Sequence, residues 1–364
     1  MLSCCYRRTE AEQKRCLVVW AMVAAGVVAG VPLGYVLQRG QVCFHAAFRG
    51  LYAGRTALWK AWAMAVAVTM LGLTAVYELG PWDQLSQGLG FRPVAAVVGG
   101  VTFGIGMAVA ASCVSGLFFK LGAGMLGASV GLVGWGTGEV LVARSGLAQA
   151  VSGPQVLAGG IDGTIPGLLE VPRAAVAVPV AVVAIVLLLR TTRGAHGHPW
   201  QWRWPLAGAS LGAAAVFSWA TAGMSGAGFG ASTSGAVISV ADGSPAWWRV
   251  AFLLAIVVGA AIAARSAGGW WLRGEPRVRY LQLASGGLAM GAGARVAGGC
   301  NLGHGLSGVA QLNVSSLVVV AAMVAGVGLA RAVQQRLGGA RADRDQALAT
   351  LGDHEVQPDE RRRR

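Results

Sequence analysis

Residues 99–116 read GGVTFGIGMAVAASCVSG, and residues 286–303 read GGLAMGAGARVAGGCNLG. Both fit GG-x3-G-x-G-x6-C-x2-G without a gap, at an offset of 187 residues from Cys113 to Cys300. The same offset carries the apolar stretches 17–37, 57–79 and 123–144 onto 204–224, 244–266 and 310–331. It also carries RGQVCFHAAF (39–48) onto GAGFGASTSG (226–235), which sets Cys43 against Gly230. Self-similarity at one long period means two similar halves. Each half holds four apolar stretches and two glycine-rich sites.

The composition says what the halves are made of. The chain has 364 residues, 55% hydrophobic and 12% charged, with a mean hydropathy of +0.59. That balance excludes a soluble globular domain and defines an all-α polytopic membrane protein. Runs of roughly 18 to 22 apolar residues, enough to cross ~30 Å of hydrocarbon as helices, are expected at 17–37, 57–79, 93–112, 123–144, 173–190, 205–222, 247–265, 280–299 and 314–333. The first follows a polar tail without a small-residue cleavage site and reads as a retained span. The expected organisation is a tail at 1–16, a first repeat at 17–144, a loop and connecting span at 145–203, a second repeat at 204–333, and a disordered charged tail at 338–364. Four spans return the chain to its starting side, so the extra span 173–190 inserts the second repeat upside down. That is the inverted-repeat, hourglass-like plan of many transporters.

The net charge of +14 has a membrane explanation that needs no nucleic acid. With nine spans, the basic segments 38–60, 190–203 and 265–279 and the Arg-rich C-terminus share one face, while Glu78, Asp83, Asp162 and Glu170 lie on the other. The positive-inside rule makes the basic face cytoplasmic, with the N-terminus outside and the C-terminus inside. Arg7, Arg8, Lys14 and Arg15 in the N-terminal tail pull the other way. Trp200, Trp202, Trp204, Trp247, Trp248, Trp270 and Trp271 fall at loop edges and read as interfacial anchors. No G-x4-GK[ST] motif occurs, so the sequence offers no direct ATP drive.

Glycine beside Asn, His and Ser in GGCNLGHGLSG (298–308) reads as a helix breaking inside the membrane. Breaks are expected at 113–124 and 300–309, with further irregular sites at 40–47 and 227–235. A broken helix frees backbone N–H groups, and the half-helix after it presents them to an anion. Cys43, Cys113 and Cys300 lie at these sites, two of them in the same slot of the repeat. The sequence shows no CxxC and no clustered His and Cys partners, so neither a disulfide framework nor zinc is expected for these three. An unperturbed thiol titrates near ~8.5, so each is a neutral S–H near neutral pH. Neutral thiols beside backbone N–H groups suit a soft, polarizable, sulfur-bearing anion, held firmly enough to bind and loosely enough to leave.

Further pathway candidates are Gly116 and Gly303, which close the repeated motif, and Arg295, Glu139, His304 and Gln311. An arginine within a span is functional by default. Arg295 reads as either attracting a dianion or snorkelling and pairing with Glu139. Glu139 is expected to be structural rather than ion-coupling, and His304 and Gln311 either line the third station or cap the broken helix. Cys4, Cys5 and Cys16 suggest acylation or no role, and His196 and His198 read as loop residues. Three classes stay open on residues alone: a transporter, a thiol oxidoreductase whose cysteines can meet, and a scaffold.

GQVCFHAAFRG (40–50), GIGMAVAASCVSGLFFKLGAG (104–124) and GARVAGGCNLGHGLSGVAQL (293–312) resemble the signature segments of the YeeE/YedE sulphur-transport family. The resemblance implies an hourglass-like inverted repeat, no cofactor, no enzymatic step, and thiosulfate passed unmodified along thiols at Cys43, Cys113 and Cys300. It implies the bacterial inner membrane as location and a cytosolic carrier of the TusA type as receiver. The chain departs from the family's usual pattern at Ala111-Ser112 before the second thiol and at Asn301-Leu302 after the third. Those departures bear on preference among soft anions, selenium species included.

Overall fold

The computed structural model describes residues 10–191 and 201–352, of which Ala11 and 337–352 are described as backbone only. The first half gives α1 (Glu10–Gly40), α2 (Phe44–Tyr52), α3 (Ala57–Leu79), α4 (Pro93–Ala110), α5 (Val114–Gly122) and α6 (Gly127–Arg144). Short helices α7 (Leu147–Ser152) and α8 (Ile165–Leu168) lead to α9 (Arg173–Arg190). The second half gives α10 (Trp204–Met224), α11 (Ala236–Ala241), α12 (Trp247–Ser266), α13 (Arg277–Ala297), a π-helical turn at Gly303–Gly308, and α14 (Val314–Gly352). At the offset of the sequence repeat, α1, α3, α4 and α6 correspond to α10, α12, α13 and α14.

Close glycine contacts fix the directions. Gly26, Gly30 and Gly34 of α1 lie on Trp248, Phe252 and Ile256 of α12, so those helices are parallel. Gly208 and Gly212 of α10 lie on Ala61 and Ala65 of α3 in the same sense. Counterpart helices, in contrast, are antiparallel. Gly40 at the end of α1 meets Ala207 at the start of α10, while Gly99 and Gly106 of α4 meet Ala297 and Met290 of α13. A two-fold axis in the membrane plane reverses the direction of every helix it copies, and this is the result. A side chain at Gly34, Gly99 or Gly208 would collide with the backbone opposite. Small residues here let backbones touch, because lipid supplies no hydrophobic drive for helix association.

The nine expected spans correspond to nine helices of at least 18 residues among those described. Among the described residues, seven spans are long and apolar enough to cross a membrane. Helices α6 and α13 have the length but not the apolar content, since α6 carries Glu139 and Arg144 and α13 carries Arg277, Arg279 and Arg295. They compensate by packing on each other, with Gly287 and Gly291 of α13 against the backbone of Gly131 and Trp135. Connectivity and contacts put Lys60 beside Thr191, to whose carbonyl it donates at 2.9 Å. The basic segments around Arg39, Lys60, Arg190, Arg203, Arg265 and Arg273 thus gather at one end of the bundle.

Three expectations need correction. The breaks are narrower than 113–124 and 300–309. Ala111 (φ 43°) and Gly298 (φ 83°), at equivalent repeat positions, turn the chain left-handed, and helix resumes at Val114 and Asn301. Helix α14 runs on to Gly352, into the segment expected to be disordered; four alanines between 340 and 349, with Arg341, Arg344 and Leu348 among them, favour helix there. Cys16, in the first turns of α1, is disulfide-bonded rather than a site of acylation or of no role. Cys4, Cys5, His196, His198 and residues 353–364 lie outside the described residues.

Candidate functional site

All three thiols precede a helix. Cys43 is the residue before α2 and Cys113 the residue before α5, both with extended backbone. Cys300 precedes the helical segment that begins at Asn301. The first orphan N–H groups of a helix need partners, and here sulfur supplies them. Gly116 N donates to Cys113 Sγ at 3.3 Å, and Gly303 N donates to Cys300 Sγ at 3.4 Å. The two halves repeat this contact at equivalent positions. Gly116 and Gly303 thereby enter the site through their backbone.

Around these shared contacts the halves differ. In the first, Cys43 Sγ lies 3.4 Å from Cys113 Sγ, and Ser115 Oγ lies 3.3 Å from Cys113 Sγ. Gly116 has no room for a side chain: a Cβ there would stand 2.6 Å from Ser112 Oγ and 3.2 Å from each sulfur. In the second, Cys300 faces no thiol among the described residues. It accepts from Thr233 N at 3.4 Å and lies 4.0 Å from Ser232 Oγ. The segment 227–235 takes the place of Cys43, as the repeat requires, but brings hydroxyls and backbone instead of sulfur. Gly230, the formal counterpart of Cys43, lies under the Trp219 ring, with a Cβ only 2.5 Å from that ring. A fourth thiol has no space.

The two thiol sites are joined by a residue pair that sequence reasoning missed. Asn301 Nδ2 donates to Ser115 Oγ at 2.9 Å, linking the residue after the third thiol to the residue two beyond the second. All of Cys113, Ser115, Cys300 and Asn301 are fully buried. Asn301 Oδ1 and the hydroxyls of Thr233 and Ser234 are buried without a partner. Ser115 and Asn301 belong to the repeated motif itself, so the signal was polar residues at its two unspecified x positions. Trp62 Nε1 donates to Gly305 O at 2.6 Å, and Phe44, next to Cys43, touches Gly305. The wide π turn at Gly303–Gly308 is thus held by the first half.

The remaining candidates separate. His304 is buried between Ala297 O, to which Nε2–H donates at 3.1 Å, and Ser316 Oγ, 2.9 Å from Nδ1. Nε2 thus caps the end of α13, and Nδ1 ties the ring to α14. Gln311 donates from Nε2 to Tyr77 OH at 2.7 Å and to Ser86 O at 2.9 Å, tying the second half to α3 and the following loop. Glu139 is buried; its Oε1 accepts from Gly235 N at 2.8 Å and its Oε2 has no partner. Arg249 donates to the neighbouring Ser234 O at 3.1 Å. Arg295 is exposed on α13 and makes no ion pair with Glu139 among the described residues, so it neither faces the thiols nor neutralises that carboxylate by contact. No group of three or more His, Cys, Asp or Glu suited to a metal occurs among the described residues.

Fold and site together define an inverted-repeat, α-helical membrane protein whose buried interior brings thiols, hydroxyls, amides and backbone N–H groups together at helix breaks. The chain belongs to the sulphur transport family, whose pattern matches residues 39–329. It is 30% identical over 317 residues to the thiosulfate transporter TsuA of Spirochaeta thermophila, covering 81% of this chain and 94% of that one. It is 27% identical over 333 residues to the thiosulfate transporter TsuA of Escherichia coli K12, covering 85% and 94%. A shorter similarity, 31% over 100 residues, spans 25% of this chain and 24% of the probable transporter YedE of the same organism.

Proposed function

We propose that this protein carries thiosulfate across the bacterial inner membrane, relaying the anion unmodified along Cys43, Cys113 and Cys300. The observation that carries this reading is the repeated contact of a helix-preceding thiol with the N–H three residues on, Cys113 with Gly116 and Cys300 with Gly303. The same two groups, one soft and one a backbone donor, recur on both sides of the pseudo-two-fold axis. A thiosulfate ion has one soft sulfur terminus and one oxygen-rich terminus, and each station offers a partner to both. Neutral donors bind without the deep well that a fixed cation would create, as a conducting path requires. The family membership and the similarity to two thiosulfate transporters over most of the chain support the substrate.

In this reading 17–144 and 204–333 are the two working halves and α9 is the connector that inverts them. The basic end of the bundle faces the cytoplasm by the positive-inside rule, with the C-terminus inside and the N-terminus outside. The Cys300 station then lies on the outer side and the Cys43–Cys113 station on the inner. A TusA-like carrier receives the sulfur in the cytosol, and the chain itself performs no enzymatic step.

The test is growth on thiosulfate as sole sulfur source, in cells lacking other sulfate and thiosulfate uptake. The intact chain restores growth, and Cys300→Ala at equal membrane level does not. Equal growth from both removes Cys300 from the path. No growth from either rejects thiosulfate and turns the question to selenium species.

A further inference from the structure

The contact between Cys43 and Cys113 does more than complete a relay. Two free, buried sulfurs 3.4 Å apart are at van der Waals contact, and a disulfide needs them at about 2.05 Å. The gap of roughly 1.4 Å is within the reach of side-chain rotation, since both thiols lie at helix starts and neither is enclosed by a neighbouring Cβ at Gly116. Gly116 N–H and Ser115 Oγ already face the Cys113 sulfur. Those donors can hold the negative charge that the sulfur takes up as it loses its proton. Cys300 has only backbone N–H and Ser232 within reach of its sulfur, so it can neither close this bond nor attack it once formed.

We propose that Cys43 and Cys113 form a reversible disulfide under small hydroperoxides, and that this bond shuts the path. One sulfur of the pair attacks a peroxide oxygen, the O–O bond breaks, and that cysteine becomes a sulfenic acid as one water leaves. The other sulfur then attacks the sulfenic sulfur, the S–OH bond breaks, and a second water leaves. Two thiols lose two electrons and two protons, and one hydrogen peroxide becomes two waters. A dithiol reductant reverses the change. The bond removes both S–H groups of the inner station and ties the start of α2 to the start of α5. The shut path rests on the transport reading above; the bond itself does not.

The experiment treats the purified full-length protein with hydrogen peroxide, alkylates remaining thiols after denaturation, and maps cross-linked peptides by mass spectrometry. The expected product is a Cys43–Cys113 link with Cys300 alkylated, cleared by dithiothreitol and absent from Cys43→Ser. In proteoliposomes the same treatment lowers thiosulfate uptake at least tenfold, and dithiothreitol restores it. No link at peroxide levels that already oxidise Cys113 further, or a link through Cys300, overturns the proposal. A Cys43–Cys113 link with unchanged uptake overturns the gate. Untreated protein that moves no thiosulfate but still forms the link rejects the transport reading alone.

Discussion

Asn301 donates from Nδ2 to Ser115 Oγ at 2.9 Å, a buried hydrogen bond between the repeated motifs of the two halves. Their repeat counterparts, Val114 and Leu302, are apolar, so the bond appears once and breaks the pseudo-symmetry at its centre. Removing Ser115 leaves the Asn301 amide buried and unsatisfied, and removing Asn301 leaves Ser115 only the Cys113 sulfur, at a cost of about 1–3 kcal/mol. Asn301→Ala and Ser115→Ala are each expected to lower thermal stability in detergent by that order. The double variant is expected to fall short of their sum, with a coupling of roughly 0.5–3 kcal/mol. Additive losses would show that the two side chains do not meet.

Gly116 and Gly303 make the same backbone contact but have different surroundings. A Cβ at 116 would stand 2.6 Å from Ser112 Oγ and 3.2 Å from both the Cys43 and Cys113 sulfurs, whereas at 303 the nearest atom is Ser232 Oγ at 3.1 Å and Cys300 Sγ is 3.9 Å away. Gly116→Ala therefore pushes the paired thiols apart, and is expected to cut thiosulfate uptake at least tenfold in folded protein. Gly303→Ala is expected to keep uptake within about threefold of the parent chain, because a single hydroxyl can rotate. Comparing initial rates in vesicles at matched protein levels decides it, and equal damage at both sites would reject the account.

The long helices and the two-fold plan were legible in the sequence because both are periodic. Apolar length marks spans, and an ungapped offset marks a repeat. Contacts between the glycine-rich sites were not legible, since Cys43 and Cys113 precede different helices and their meeting depends on how α2 folds back. The exact break was displaced because Gly, Asn, His and Ser in GGCNLGHGLSG suggested an open loop. Instead, neighbouring carbonyls are still satisfied there in a wide π turn. Of the two readings of Arg295, attraction of a dianion or snorkelling, its face favours the second: Leu281, Leu288 and Arg295 recur every seven residues and are all exposed, whereas Gly286, Gly287, Met290, Gly291, Gly293 and Ala294 are buried. That lipid-facing stripe was present in the sequence, and reading it would have turned Arg295 outward.

Arg295, exposed near the end of α13, is positioned to snorkel toward the membrane surface. Arg295→Gln is expected to leave uptake within twofold and thermal stability within about 0.5 kcal/mol, the usual range for surface substitutions. A loss of uptake beyond tenfold with an unchanged melting temperature would restore it to the pathway.

Gly230 leaves no room for a thiol at the repeat position that Cys43 occupies in the first half. With the Trp219 ring where a Cβ would go, Gly230→Ala forces overpacking in a region where Trp219 Nε1 also donates to Ser307 Oγ at 3.0 Å. The expected cost is about 1–3 kcal/mol, seen as reduced melting temperature and membrane yield. Gly230→Cys is expected to be at least as damaging and to add no transport. A well-folded, faster Gly230→Cys would mean that the ring yields and the second station accepts another thiol.

Glu139 distinguishes a structural strap from an ion-coupling site. Its Oε1 accepts from Gly235 N at 2.8 Å, Arg249 holds Ser234 O at 3.1 Å, and two residues earlier Thr233 N reaches Cys300 Sγ at 3.4 Å. The carboxylate thus anchors one end of a short segment whose other end touches the third thiol. Gly235 turns with φ 80°, so its N–H is aimed by the backbone and needs only an acceptor oxygen opposite. Glutamine supplies that oxygen and alanine does not. If the role is to hold the strap, Glu139→Gln keeps uptake within about threefold, while Glu139→Ala loses tenfold or more and about 1–3 kcal/mol of stability as the Gly235 N–H is orphaned. If the carboxylate must instead gain and lose a proton or bind a cation during transport, glutamine is as inactive as alanine although the protein melts normally. Uptake rates and melting temperatures of the two variants, measured side by side, separate these cases, because only the structural role lets the amide stand in for the acid.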